Sequence, residues 1–188
     1  MPVVLGIDPS LTSCGWCVIK GDRFEKMATG TFGYALKAAS ERDNIKRLTD
    51  IVSEILRVVD NYDPEIVGIE NYAFSRVGSL TNLAELVGIL KYTLTLKGLS
   101  PYMVGIHESR KFVLGVGYMK KVEVVARLVE LGIQFKTTDA MDAWFVAKTM
   151  TGVMKPAGLL PTQIEVVNSL ERKRTVGVKR KVKRKKKE

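Results

Sequence analysis

The chain has 188 residues, of which 46% are hydrophobic and 27% charged, a composition typical of one folded domain with its own core. No apolar run approaches the roughly 18 residues of a membrane helix, and MPVVLGID lacks a cleavable signal, so we predict an intracellular protein without membrane association. The net charge of +10 comes from residues 172–188, which hold eleven Lys or Arg and one acid. The like charges of such a block repel one another, which predicts a disordered tail. We predict that the tail binds a polyanion such as nucleic acid, with a localisation signal or a solubilising tail as alternatives.

The first third of the chain predicts an antiparallel meander of three strands. VVLGID (3–8), GWCVIK (15–20) and MATGTFG (27–33) are rich in apolar and β-branched residues. Gly21-Asp22 is a turn signal between the second strand and the third. Consecutive strands joined by short turns favour antiparallel neighbours.

The remainder of the chain alternates helices and strands. The predicted elements begin with a helix from Ser40 to about Tyr62, a strand at 65–70, a long helix at 80–97 and a short strand at 102–107. A loop or short helix follows through 109–117, and then a helix at 120–132. The next helix is capped by Thr138 or Asp139 and runs to about Met150, and a last short helix precedes the tail. This order predicts an α/β fold with a ribonuclease H-like mixed five-stranded sheet flanked by helices. We assign residues 1–160 to that domain and 161–188 to a C-terminal extension with the disordered tail.

The predicted helix at 80–97 has little charge for a surface helix. An apolar stripe runs along it, formed by Leu83, Leu86, Val87, Leu90 and Leu94. A stripe of this kind packs either against the chain's own core or against a second subunit. We interpret it as a dimer interface.

The two cysteines, Cys14 and Cys17, form a CGWC motif. A zinc site takes about four ligands, and His107 is the only further Cys or His in the chain. A redox motif of this spacing opens a helix, whereas CGWC lies on a predicted strand. Strand positions three apart face opposite sides of the sheet, so we interpret both cysteines as small core residues.

Four acidic residues stand where predicted elements begin or end. Asp8 and Glu70 each close an apolar strand, while Asp139 and Asp142 share one face in the first turn of a helix. Taken singly, Asp8 would also fit a turn residue, Glu70 an ion-pair partner and Asp139 a helix N-cap. Carboxylates that converge repel one another, and bound divalent cations relieve that repulsion. Two such cations support in-line displacement at a phosphodiester, so the set predicts nucleic-acid hydrolysis.

The motifs around these acids resemble those of RuvC-like Holliday junction resolvases of the ribonuclease H superfamily. GIDPS followed by CGWCVI is similar to that family's GIDPG…TGYGVI, and IVGIENYAF to its strand ending in IE. RKFVLGVGYMKKVEV resembles its basic segment, and TDAMDAWFVA resembles its DAADALA. The four pieces keep the family's order over residues 3–150, although GIDPS alone also resembles actin-like ATPases.

The resemblance implies a homodimeric, Mg²⁺-dependent crossover junction endodeoxyribonuclease. Such an enzyme makes paired nicks in branched DNA and leaves 5′-phosphate ends. Its catalytic and metal-binding residues would be Asp8, Glu70, Asp139 and Asp142, holding two Mg²⁺ ions per active site, with Mn²⁺ as a substitute. The family's basic DNA contacts fall on Lys121 and on Arg110 or Lys111, and the residue spacing favours Arg110. The charge of the tail adds Lys179, Arg180 and Lys181 as predicted DNA-binding residues.

The sequence departs from the bacterial pattern in three places. Ser10 stands where those enzymes have Gly, and the long basic tail is additional. Ala73 stands at the position of an aromatic wedge, with Tyr72 and Phe74 on either side as predicted DNA contacts. A phage or organellar-type member would fit these departures, which leaves the bacterial cytoplasm and nucleoid, a host cytoplasm or an organelle as locations.

Three other functions fit part of the pattern. A less selective ribonuclease H-like nuclease would act on flaps or branched replication intermediates with the same carboxylates. An actin-like nucleotide-binding protein needs two such domains and a second phosphate loop, for which 188 residues are too few. A non-catalytic junction-binding module would gain nothing from four acids in its DNA cleft, because they weaken binding unless metals neutralise them.

Overall fold

In the computed structural model, residues 2–21, 25–33, 40–71 and 77–185 are described, with side chains described in these ranges except at 25–27, 77–80 and 176–185. The strands in these ranges are β1 (Val3–Asp8), β2 (Cys14–Lys20), β3 (Glu25–Phe32), β4 (Ile66–Glu70) and β5 (Tyr102–Val104). The helices are α1 (Glu41–Tyr62), α2 (Val77–Leu96), α3 (Ile106–Leu114), α4 (Lys121–Glu130), α5 (Thr138–Met154) and α6 (Pro161–Lys185). None of these helices is both long enough and apolar enough to cross a membrane.

The five strands form one mixed sheet in the order β3-β2-β1-β4-β5. β1 pairs antiparallel with β2 and β2 with β3, while β1 and β4, and β4 and β5, are parallel. The predicted meander followed by alternating strands and helices is therefore confirmed. Ile7 pairs with Ile69, so β1 and β4 end side by side at one edge of the sheet.

The core consists of two apolar layers, one on each face of the sheet. Leu5 and Ile7 face α1 and α2, whereas Val4 faces α3, α5 and α6. Alternation of this kind follows from the two-residue period of a strand. The same period puts Cys14 and Cys17 in opposite layers, as predicted, so they form neither a redox pair nor a common metal site.

The face of α2 that was predicted to form a dimer interface is buried inside the chain, so that prediction was wrong. Leu86, Leu90 and Leu94 belong to the core layer of α1, Leu83 packs against it, and Val87 is also buried. The reason is that this face of the sheet also needs a cover, and α1 alone does not supply it. The exposed apolar residues of α2 lie elsewhere on the helix and include Ile89, Tyr92 and Leu96.

Two boundaries near the site differ from the prediction. Thr137 is the N-cap of α5, because its hydroxyl oxygen accepts a hydrogen bond from the Ala140 N–H at 3.2 Å, so neither Thr138 nor Asp139 is the cap. β5 ends at Val104, short of the predicted strand end. There the Glu108 carboxylate accepts a hydrogen bond from the Gly105 N–H at 2.9 Å and starts α3.

α6 continues without interruption through Lys185, where the sequence predicts a short helix and then a disordered tail. Val166, Val167 and Leu170 are buried in the core layer of α5, so the beginning of α6 is fixed to the body. Arg and Lys are good helix formers, which allows an anchored helix to extend into the basic segment. The backbone of the described tail is therefore helical rather than disordered. The division of the chain at residue 160 stays a prediction.

Candidate active site

Asp8 and Glu70 are the last residues of two neighbouring parallel strands, β1 and β4. Burial raises the pKa of Asp8 to about 8, with further contributions from the charges of Asp142 and Asp139. Burial is likewise the main reason that the pKa of Glu70 is raised to about 9, and the charges of Asp8 and Asp142 contribute to the rise. Each of these carboxyls therefore holds its proton more tightly than it would in water, because burial and its neighbours disfavour the ionised form.

Two strand glycines bring α5 against the sheet. A Cβ atom at Gly6 would lie 2.2 Å from the Ala143 carbonyl oxygen, and one at Gly15 would lie 2.2 Å from that of Asp139. Any larger residue would push the first turns of α5 away from β1 and β2. Glycine within a strand pattern is the sequence signal for such a close approach.

The two carboxylates of α5 have partners within the chain. Ser13 Oγ donates a hydrogen bond to Asp139 Oδ2 at 2.8 Å. Asp142 is only 7% exposed and lies between two cations, with Arg110 Nη2 and Lys121 Nζ each 3.5 Å from a carboxylate oxygen. Burial raises the pKa of Asp142, and Lys121 and Arg110 oppose that rise.

Arg110 and Lys111 point to different parts of the molecule. Arg110 reaches Asp142 and also donates to the Met119 carbonyl oxygen at 3.4 Å. Lys111 Nζ lies 2.8 Å from Glu165 Oε2 on α6. The basic residues beside the carboxylates are therefore Arg110 and Lys121, the same choice that the residue spacing favoured.

The other predicted DNA-binding residues are not placed at the site. Tyr72 and Phe74 lie outside the described residues. Lys179, Arg180 and Lys181 lie on the helical backbone of α6, and their side chains are not described. DNA binding by these five residues stays a prediction.

The candidate metal ligands of the site are all carboxylate oxygens, the type of donor that a hard divalent cation binds. Glu70 Oε2 is buried without a hydrogen-bond partner in the part of the chain that the structure describes, which is costly for a polar atom. Across the same residues, no group of three or more His, Cys, Asp or Glu side chains is arranged to hold a metal ion. Asp139 and Asp142 instead engage Ser13 and the two basic side chains. The arrangement is that of carboxylates that repel one another, and carboxylate oxygens are the ligands that Mg²⁺ prefers.

Ser13 is the site residue that the sequence did not predict. It is 126 positions from Asp139, and no local pattern connects the two. The only local signal was the turn that separates β1 from β2, which contains Ser10 and Ser13.

Comparisons with known proteins show the family to which the chain belongs. A family model described as Crossover junction endodeoxyribonuclease RuvC matches residues 4–150. The protein of that name from Ruegeria pomeroyi is 32% identical over 151 residues, which cover 77% of this chain and 87% of that protein. The one from Corynebacterium glutamicum is 28% identical over 148 residues, covering 77% of this chain and 66% of that protein, so the chain spans just under two thirds of it.

Two solved structures share the fold. RuvC of Thermus thermophilus in complex with a Holliday junction substrate superposes with a TM-score of 0.69 at 20% identity, covering 85% of this chain and 98% of that one. The yeast mitochondrial Holliday junction resolvase Ydc2 has a TM-score of 0.52 at 13% identity, covering 90% of this chain and 83% of that one. The family match covers all five strands and most of α5, including all four carboxylates. The chain belongs to the family of RuvC crossover junction endodeoxyribonucleases.

Proposed function

We propose that the protein is a structure-selective DNA endonuclease that resolves four-way junctions by nicking two opposed strands. The observation that carries this proposal is that Asp8 and Glu70, at the ends of β1 and β4, lie close enough to the acids of α5 to feel their charges, with two basic side chains beside Asp142. Membership of the RuvC family supports it, and so does the complex of the Thermus thermophilus relative with a Holliday junction substrate.

In this proposal Asp8, Glu70, Asp139 and Asp142 are catalytic and hold two Mg²⁺ ions, for which Mn²⁺ can substitute. Two such cations supply activation of water and stabilisation of charge at a phosphodiester, and the products carry 5′-phosphate ends. The chain contributes the orientation of its ligands. Ser13 holds Asp139, and Arg110 and Lys121 hold Asp142 and face an incoming phosphate.

The DNA-binding surface in this proposal extends from the carboxylates to α6. Arg110 and Lys121 bind phosphate at the site, and Lys111, Tyr72 and Phe74 act around it. The basic end of α6, with Lys179, Arg180 and Lys181, adds counterion release that does not depend on sequence. Its anchor supports this role, because Lys173 Nζ lies 2.6 Å from Glu108 Oε2 on α3. The basic segment therefore continues from a helix that is fastened to the same element as Arg110.

Nicking two strands in step requires two active sites, which a homodimer with twofold symmetry supplies. We propose that the exposed face of α2 forms the interface, since Tyr92 and Leu96 are apolar there and 66% and 70% exposed. Tyr92→Glu should give a folded monomer in sedimentation, whereas Leu86→Glu should unfold the chain because Leu86 is buried in the core. A Tyr92→Glu protein that stays dimeric would exclude this face.

The deciding experiment compares a synthetic four-way junction with linear duplex, a flap and a branched replication intermediate, with and without Mg²⁺. We expect paired nicks in the junction with Mg²⁺ or Mn²⁺ and little cutting of duplex. Ca²⁺ should permit binding with little turnover, because its larger and looser coordination shell positions water poorly. Equal cutting of flaps and junctions would instead identify a less selective nuclease. An enzyme with this substrate works where DNA is, so we propose an intracellular location.

A further inference from the structure

A stacked aromatic pair lies outside the carboxylate cluster. His107 is in the first turn of α3 and Tyr118 lies in the loop between α3 and α4, with ring centroids 4.1 Å apart and planes inclined by 28°. His107 Nδ1 lies 3.1 Å from the Gly117 carbonyl oxygen, which holds the histidine ring against the loop. Tyr118 is 81% exposed, so its ring is supported by His107 and otherwise open to solvent.

The pair borders a cavity of about 470 Å³ between α3, this loop and α6. Val116 and Val166 give the cavity apolar surface. Its charged side chains are already paired, Lys111 with Glu165 at 2.8 Å and Glu108 with Lys173 at 2.6 Å. A cavity with aromatic and apolar walls and neutralised charges fits a flat, uncharged ring better than a phosphate.

The loop that carries Tyr118 is tied to the candidate active site. Its Met119 carbonyl oxygen accepts a hydrogen bond from Arg110, which also reaches Asp142. Lys121, at the end of the loop, contacts Asp142 as well. Three residues of chain span at most about 11 Å, so the Cα atoms of Tyr118 and Lys121 are no farther apart than about three base steps of DNA.

We propose that the His107–Tyr118 pair is a stacking platform for an unpaired nucleobase beside the cleaved phosphodiester, and that the adjoining cavity receives that base. The inference rests on the proposed function, since it needs DNA at the carboxylates. Every base has a π-face, so an aromatic platform accepts any of them. A base that is already unpaired at a branch point leaves the stack at least cost, so the platform favours branched DNA over duplex.

The test measures binding to a four-way junction in Ca²⁺ and to a series of junctions in which single nucleotides near the scissile phosphate are abasic. Tyr118→Ala should weaken binding to the intact junction by about fivefold or more, the effect of losing one stacked base, while Tyr118→Phe binds like the wild type. One abasic position within about three nucleotides of the scissile phosphate should abolish the difference between Tyr118→Ala and wild type. Val122→Ala, which shortens another exposed apolar side chain beside Lys121, is the matched control and should bind normally.

Three results would overturn the platform: wild-type affinity in Tyr118→Ala, an equal loss on every abasic junction, or a Phe variant as weak as the Ala variant. Thermal unfolding of each variant checks that the fold is intact. A wild-type protein that neither cuts nor prefers four-way junctions would refute the proposed function instead. The platform is then judged by the same abasic series in a bulged duplex, where the absence of any position-specific difference would refute it as well.

Discussion

The two carboxylates from strands and the two from α5 are compensated in different ways. Asp139 accepts a hydrogen bond from Ser13, and Asp142 lies between Arg110 and Lys121. At the strand ends, Glu70 Oε2 has no partner among the described residues, and burial raises the pKa values of Asp8 and Glu70 well into the neutral to alkaline range. The chain thus supports the helix pair with its own side chains. The strand pair lacks such support in the described part of the chain, so without a metal it holds protons, and in the proposed function it ligates a cation.

The comparison predicts its largest effect when a strand carboxyl is replaced by the corresponding amide. Asp8→Asn or Glu70→Gln should lower single-turnover cleavage of a junction more than about 100-fold, beyond the 10–100-fold typical of partners one step removed from a metal. Asp139→Asn and Asp142→Asn should also abolish cleavage. Junction binding should remain, because none of these variants adds negative charge to the site. Asp60→Asn, on the exposed side of α1, is the control. A Glu70→Gln enzyme that cuts at a substantial fraction of the wild-type rate would refute the metal assignment.

The second prediction concerns the stability of the metal-free protein. Both strand carboxyls have folded-state pKa values raised above their unfolded values near 4, so the folded state binds more protons between those limits. Stability should therefore fall as pH rises from about 5 to about 8, by up to about 1.4 kcal/mol per pH unit for each carboxyl. Urea unfolding in EDTA measures this slope, and Glu70→Gln should reduce it. Added Mg²⁺ should restore stability at pH 8. A flat profile in EDTA would mean that the strand pair is compensated after all.

A smaller effect is expected from the basic side chain of Lys121, which lies beside Asp142. Lys121→Ala should weaken junction binding and reduce the slope of log K against log salt by about one unit, because one phosphate contact is lost. Lys121→Arg should keep both properties. The Lys97→Ala variant, at an ion pair with Asp60 on α1, serves as the control. An unchanged slope would restrict Lys121 to holding Asp142.

The smallest effect should come from Ser13. Ser13→Ala removes one hydrogen bond to Asp139 and should slow cleavage about tenfold, the lower end of the effect of an outer partner at a metal site. Ser13→Thr keeps the hydroxyl and should be nearly normal. The measurement is the single-turnover rate at saturating Mg²⁺. A loss as large as that of Asp139→Asn would mean that Ser13 itself contacts the reacting groups.

Local pattern was sufficient for the sheet architecture and for the positions of the four acidic residues on β1, β4 and α5. The β-branched runs that end at Asp8 and Glu70 form β1 and β4, and their parallel pairing brings the two acids to one edge. The three-residue spacing of Asp139 and Asp142 sets them on one helical face, and Gly6 and Gly15 mark the strands that α5 crosses. Strand and helix periods are properties of the backbone and a few neighbours, so they can be read along the chain.

Other features depended on contacts between distant segments. The apolar stripe of α2 faces its own core because α1 alone does not cover the sheet, and its composition is equally compatible with a dimer interface. The basic segment after Glu171 is helical because buried residues fix the beginning of α6. Ser13 reaches Asp139 only through the packing of α5 on the sheet. By itself the sequence determined that Asp8 and Glu70 close β1 and β4 and that Asp139 and Asp142 share one face of α5. Tertiary packing alone decided which partners they meet, because charge compensation and burial depend on side chains far away in the chain.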